Sequence, residues 1–286
     1  MKRNVALVLS SGGARGFAHI GAIKVLEQQG YRITSVAGTS MGALVGAIYA
    51  SGQLHEFEEW VRTLDVMEVL KFTDISISSK GFVKGKKIMK KLKEIVPERS
   101  IEDLHIPYCA VATDIIRGHE KVFTEGNLFN AIRASISIPT FFQPWKIGDD
   151  YYVDGGLVNP VPINRVTRRK GDILAVVNVN ADIPHSTADE NDEKQNDSRY
   201  LKKIREIRSK SDRHIPENKE DDIGIFNLNN RSISIMLNQI TALTLKNCKV
   251  DIMIELSRDS YGTYDFYKAG EIISAGEKAA SMAFEK

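Results

Sequence analysis

Two cysteines in 286 residues are too few for a disulfide scaffold, and neither Cys109 nor Cys248 stands at metal-ligand spacing. Both lie in or beside apolar runs and read as buried thiols of a reducing compartment. No stretch approaches the ~20 apolar residues that span a bilayer. The apolar start, Val5–Leu9, is too short for a signal-peptide core and stops at Ser10-Ser11-Gly12-Gly13, so it reads as a buried first strand. An excess of one charge is missing too. Lys+Arg 39 against Asp+Glu 37 leaves +2, which gives no whole-molecule reason to expect nucleic acid as a partner. No H-E-x-x-H or comparable cluster points to a metal. What is present is ordinary: 42% hydrophobic and 27% charged residues exclude a fibrous or mainly disordered chain. The expectation is a soluble protein of the cytoplasm.

Val5–Leu9 and Ile33–Ala37 are short aliphatic and β-branched runs, each followed by a helical pattern, Phe17–Gln29 and Met41–Ala50. This alternation predicts a parallel sheet covered by helices on both faces. Residues 51–98 read as mostly helical. Within them the lysine-rich stretch Lys84–Lys93 is a solvated helix face or, as the less favoured reading, a patch for anionic lipid heads. Strands follow at Tyr108–Thr113, Tyr151–Val153 and Ile173–Val179, with a helix at Leu128–Ser135. Residues 182–222 switch to an acidic and then a basic composition and read as a long surface excursion. Inside it Leu201, Ile204 and Ile207 recur among cations, as in a lightly docked or membrane-lying helix. A helix near Ser232–Asn247, a strand at Val250–Glu255 and a last helix from Ala269 complete the chain.

Three segments carry chemistry. Gly38-Thr39-Ser40-Met41-Gly42 matches the G-x-S-x-G nucleophile elbow and stands between a strand and a helix, as that motif requires. Glycines at 38 and 42 clear space for a strained serine, whose hydroxyl then projects beside a helix N-terminus that favours an oxyanion. Ser10-Ser11-Gly12-Gly13-Ala14-Arg15-Gly16 follows the first strand, and its glycines can turn several backbone N–H groups toward one anion. An oxyanion hole fits better than a dinucleotide-phosphate loop, because Ser11 takes the first glycine position and no acidic residue ends the second strand. Arg15 has two readings, a ligand for lipid phosphate or a brace for loop carbonyls. Asp154-Gly155-Gly156 is the third segment: an ordinary turn in isolation, but here a carboxylate after a serine that still lacks a base.

A histidine base is hard to find. His185 and His214 alone follow Asp154, both in the charged excursion, and His19 reads as a packing residue. His55, His105 and His119 stand in polar surroundings without evident partners.

Taken together and in order, Ser-Gly-Gly-Ala-Arg-Gly, Gly-Thr-Ser-Met-Gly, Arg133-Ala-Ser-Ile-Ser-Ile-Pro-Thr-Phe-Phe-Gln-Pro144 and Asp154-Gly-Gly-Leu-Val-Asn-Pro-Val-Pro162 resemble the patatin-like phospholipases. The resemblance covers about residues 5–180 and, more loosely, the last strand and helix. It implies a three-layer α/β/α sandwich around a mainly parallel sheet, with 1–286 as one domain carrying the insertion at about 182–222. It further implies a Ser–Asp dyad acting on acyl esters of lipids, with Ser40 as nucleophile, Asp154 as base, and Gly12, Gly13 and Ala14 as the oxyanion loop. Arg15, Gly16, Gly38, Gly42, Gly155 and Gly156 would support these motifs. The expected partner is a lipid or acyl-ester substrate with peripheral membrane contact, and no metal or organic cofactor is expected. A soluble carboxylesterase or thioesterase, and a non-catalytic lipid-binding module, remain as alternatives. Head group, chain length and oligomeric state are not legible.

Overall fold

Residues 5–9 are all buried, and alternate side chains go to opposite faces of a sheet: Val5, Leu7 and Leu9 enter one apolar cluster and Val8 another. In the computed structural model, which describes residues 3–72, 83–184 and 225–285, this strand is β1 (Arg3–Leu9). β1 pairs in parallel with β2 (Tyr31–Thr39) on one side and β7 (Ile173–Ala181) on the other. β2 continues to β3 (Tyr108–Asp114) and β7 to β8 (Ile252–Ser257), again in parallel. Three short strands, β4 (His119–Phe123), β5 (Trp145–Ile147) and β6 (Asp150–Asp154), add antiparallel pairs at the β3 end. The result is a mixed eight-stranded sheet of an α/β fold, in the order β5-β6-β3-β2-β1-β7-β8, with β4 on β3.

The larger core lies between the sheet and α1 (Ala18–Gln28), α2 (Met41–Ala50), α6 (Leu128–Ser135) and α8 (Ala269–Phe284). Three further helices, α3 (Leu54–Arg62), α4 (Val66–Phe72) and α5 (Lys86–Ile95), occupy much of the 51–98 stretch. On α5, Leu92 is buried, while Lys91 and Lys93 pair with Glu94 and Glu98, so this is mainly a solvated face. The second layer is thin. Val8, Leu174 and Val176 are covered there by Val161, Ile163 and Val166, around the 3-10 turn Ile163–Arg165, and by Leu245 at the end of α7 (Ile225–Lys246). Among the described residues, no helix is long and apolar enough to cross a membrane. Most of the 182–222 excursion, with Leu201, Ile204, Ile207, His185 and His214, lies outside the described residues. Cys109 is buried on β3 as expected, but Cys248 is only half-buried.

The register of β3 brings two strand ends together. β4 takes one edge of β3 over Ala110–Asp114. The opposite edge is shared: β2 occupies Tyr108–Val111 and β6 occupies Ala112–Asp114. β2 runs with β3 and β6 runs against it, so their C-terminal ends meet head to head. Thr39 lies opposite Val111 and Asp154 opposite Ala112.

Candidate active site

Ser40 joins β2 to α2 with φ 55° and ψ −122°, a conformation L-residues rarely adopt. Close approach on both sides maintains the turn. A Cβ on Gly38 would lie 2.4 Å from the Gly42 carbonyl group, and one on Gly42 would lie 2.3 Å from the Leu9 carbonyl oxygen. Gly38 thus clears the first turn of α2, and Gly42 lets that turn rest on the end of β1. The Ser40 N–H donates to Ser135 Oγ at 2.8 Å, and the Ser135 hydroxyl donates onward to the Val111 carbonyl at 2.6 Å.

Asp154 arrives from the opposite direction, at the end of β6. Gly155 lets the chain turn away there, since a Cβ would come within 2.2 Å of the Val111 carbonyl oxygen. Ser40 Oγ donates to Asp154 Oδ2 at 2.5 Å, joining residues 114 positions apart in the chain. The other carboxylate oxygen accepts the Gly156 N–H at 2.8 Å. The Asp154 backbone is fixed as well: its N–H donates to the Ser137 carbonyl at 2.9 Å and its carbonyl accepts Thr113 Oγ1 at 2.8 Å. Both Ser40 and Asp154 are buried, 3% and 6% exposed. Burial pushes the Asp154 carboxyl up to about 6, against the two hydrogen bonds that favour its ionised form.

No imidazole fits between a hydroxyl and a carboxylate in direct contact. His19 is fully buried on α1, where Nε2 donates to the Ser10 carbonyl at 2.9 Å. Burial pulls its pKa down to about 4, so it is neutral at physiological pH and props the end of β1.

The glycine loop forms a 3-10 turn at Gly13–Phe17 leading into α1, with Gly13 at φ 56°. Two of its N–H groups are already committed. Ser11 donates to the Pro160 carbonyl and Ala14 to the Thr263 carbonyl, both at 2.9 Å. Of the three expected oxyanion donors, Ala14 thus has its N–H occupied in this structure. Of the two readings of Arg15, the geometry gives the brace. Its guanidinium donates to the carbonyls of Val179 and Tyr261 and to Asn180 Oδ1, tying the loop to β7 and to the turn after β8. Gly16 packs on Met41, where a Cβ would meet that side chain at 2.3 Å, so the loop is seated directly on the start of α2. Gly156 faces Asp154 Oδ1, with Leu237 of α7 and Ser11 Oγ close by.

Sequence reasoning missed the support beneath the Ser40–Asp154 pair. Ser135 and Ser137 at the end of α6 hold the backbones of Ser40 and Asp154 respectively. Arg133, one turn before Ser137, donates Nη1 to Ser137 Oγ at 2.6 Å and Nη2 to the carbonyls of Lys84 and Gln143. Its guanidinium lies over the rings of Phe142 and Trp145. Burial lowers its pKa to about 10, which leaves it charged at neutral pH. The signals available were the place of Arg133–Pro144 among the segments that carry the family resemblance and the four-residue spacing of Arg133 and Ser137 on a helical pattern. Nothing in residue type distinguishes Ser135 from any serine ending a helix.

A family model described as patatin-like phospholipase matches residues 7–166, which include Ser40, Asp154 and the glycine loop. The chain belongs to the patatin-like phospholipase family. Among its relatives is an uncharacterized NTE family protein of Mycobacterium tuberculosis, 32% identical over 328 aligned positions that cover 98% of this chain and 91% of that one. Patatin-like phospholipase domain-containing protein 6 of Homo sapiens is 33% identical over 166 residues, 55% of this chain but only 12% of that protein. Neuropathy target esterase of Drosophila virilis matches at the same identity over 56% of this chain and 11% of its own length. Among solved structures, VipD from Legionella pneumophila aligns with 99% of this chain and 67% of its own at TM-score 0.48 and 12% identity.

Proposed function

We propose that this patatin-like protein is a serine lipid acyl hydrolase working through a Ser40–Asp154 dyad. The observation that carries the reading is the 2.5 Å hydrogen bond from Ser40 Oγ to a buried Asp154 carboxylate. Asp154 Oδ2 takes the hydroxyl proton as Ser40 Oγ attacks the ester carbonyl carbon. The negative charge that develops on the carbonyl oxygen is met by the N–H groups of Gly12 and Gly13 and by the N-terminal end of α2. The tetrahedral intermediate collapses, and the leaving alcohol takes the proton from Asp154. A water then gives a proton to the freed carboxylate and adds to the acyl carbon; as the bond to Ser40 Oγ breaks, Asp154 returns that proton to Oγ, and the fatty acid leaves. An aspartate at its ordinary pKa is a weak base for a hydroxyl. Burial narrows that gap here, and the short contact spares the system an intervening imidazole.

The test is a hydrolysis panel of short-chain aryl esters, lysophospholipids and diacyl phospholipids. Turnover of the phospholipid members supports the reading, and turnover of aryl esters alone reduces it to a soluble carboxylesterase. No turnover, together with no labelling of Ser40 by a fluorophosphonate, leaves a non-catalytic lipid-binding module.

Ser135 gives a second test. Ser135→Ala removes the acceptor of the Ser40 N–H, and an unpaired buried donor costs about 1–3 kcal/mol. If that cost falls on the geometry of attack, kcat drops roughly ten- to a hundredfold while KM stays put. Ser135→Thr keeps the hydroxyl and is expected to retain most of the activity. Equal losses in the two variants would mean that the site tolerates no change in shape there, and that the hydroxyl is not what matters.

A further inference from the structure

α7 carries an apolar face that no other element covers among the described residues. Leu228, Ile235, Met236 and Leu243 are 54%, 62%, 54% and 61% exposed. Leu228, Ile235 and Leu243 recur at seven- and eight-residue spacing, which places them in one stripe along the helix. The opposite side of the same helix faces the protein: Thr241 is buried, Thr140 Oγ1 bonds Asn230 Oδ1 at 3.0 Å, and Leu237 sits against Gly156, two residues after Asp154. Beside the helix lies an apolar groove lined by Leu157, three residues after Asp154, and by α7 side chains from Ile233 to Ile240 that include Ile235 of the stripe and Gln239.

The charge pattern selects the occupant. The 22 residues of α7 contain no acidic side chain, and Arg231 and Lys246 are its only charges. A helix buried against a second protein needs no such bias. One lying in the head-group region of a bilayer places apolar side chains among acyl chains and cations near phosphates, and is repelled there by carboxylates. We infer that the exposed stripe of α7 is the surface by which the protein docks on an anionic lipid leaflet, with the groove and the dyad at its inner edge. The inference rests on the lipid-hydrolase reading for its biological sense, but binding and catalysis are measured separately.

The experiment uses the full chain, sucrose-loaded vesicles of phosphatidylcholine with phosphatidylglycerol, and Leu228→Asn/Leu243→Asn. Both substitutions are at exposed positions outside the groove. Wild type is expected to sediment with the mixed vesicles, less with pure phosphatidylcholine, and less as salt rises. The double variant is expected to lose about tenfold or more in vesicle binding and a matching factor in hydrolysis of vesicle-borne phospholipid, with its aryl-ester turnover unchanged. Vesicle binding equal to wild type in the double variant overturns the inference, as does a wild type that ignores vesicles. A wild-type dimer that the double variant converts to monomer also overturns it, because the stripe is then a contact between copies. A protein that binds through α7 but hydrolyses nothing sinks the enzymatic reading and leaves the docking surface standing. If the double variant fails to fold, the single variants Leu228→Ser and Leu243→Ser carry the same comparison.

Discussion

Ser40→Ala is expected to be folded, soluble and inactive, with turnover reduced roughly 10⁴-fold or more, because on the proposed mechanism Ser40 Oγ takes the acyl chain. The expectation comes from geometry as well as from residue type. Ser40 is the hydroxyl that the strand-to-helix turn brings to Asp154, and the turn confines it to a strained backbone conformation. Strain of this kind costs about 1–3 kcal/mol, and alanine inherits it. Glycine does not. Ser40→Gly is therefore expected to be as dead as Ser40→Ala but to melt at a higher temperature. Hydrolysis of an aryl ester and thermal unfolding of the three proteins check both halves. Residual activity in Ser40→Ala above a few per cent, after repurification, would remove Ser40 from the chemistry. Identical melting of the alanine and glycine variants would mean that the turn stores no strain.

Asp154→Asn separates activity from stability still more sharply. Asparagine cannot take the proton, so turnover is expected to fall by several orders of magnitude, on the scale seen when a general base is lost. Its effect on stability has the opposite sign. The folded carboxyl titrates at about 6 and its ordinary value is 3.8, so between those values the native state holds a proton that the unfolded chain has released. Stability contributed by Asp154 is therefore lost as pH rises through that window. Above it, the buried charge is a standing penalty on the order of 3 kcal/mol. A neutral amide carries no such penalty, so Asp154→Asn is expected to melt several degrees above wild type at pH 8 and close to it at pH 4.5. The same carboxyl sets the wild-type rate profile. Activity is expected to fall about tenfold per pH unit below 6 and to reach a plateau above it. A variant less stable than wild type at pH 8, or a profile flat down to pH 4.5, would show that the carboxyl is not the buried base described.

The elements most legible in the sequence were those with one strong local cause. Met41–Ala50 and Leu128–Ser135 have the bounds their patterns predicted, because each begins at a turn and carries uninterrupted apolar faces. Val5–Leu9 was recognisable as a strand by its aliphatic run, although pairing with β2 and β7 extends it back to Arg3. β4 and β5 were missed. His119–Phe123 and Trp145–Ile147 lack a strong apolar alternation and are strands only because β3 and β6 offer edges. α7 begins at Ile225, before the predicted Ser232, because its first turns contain little that looks amphipathic in isolation. In the site, Ser40 and Asp154 could be named from the glycines around them, which mark tight turns. Ser135, Thr113 and the commitment of the Ala14 N–H to Thr263 could not, since each depends on where a distant strand or loop comes to rest.

The bonds of the glycine loop have a consequence for how the protein is made. Every group assigned to the chemistry lies within the first 154 residues, yet the loop that would receive the oxyanion is tied down by the carbonyls of Val179, Tyr261 and Thr263. During synthesis the nucleophile and its base would be out of the ribosome well before those anchors. A nascent chain of that length would hold the Ser40–Asp154 pair without the contacts from residues 179–263 that fix the loop. On the proposed mechanism, it is the folding of residues 179–263 onto the glycine loop, and not synthesis of the Ser40–Asp154 pair, that would complete the site.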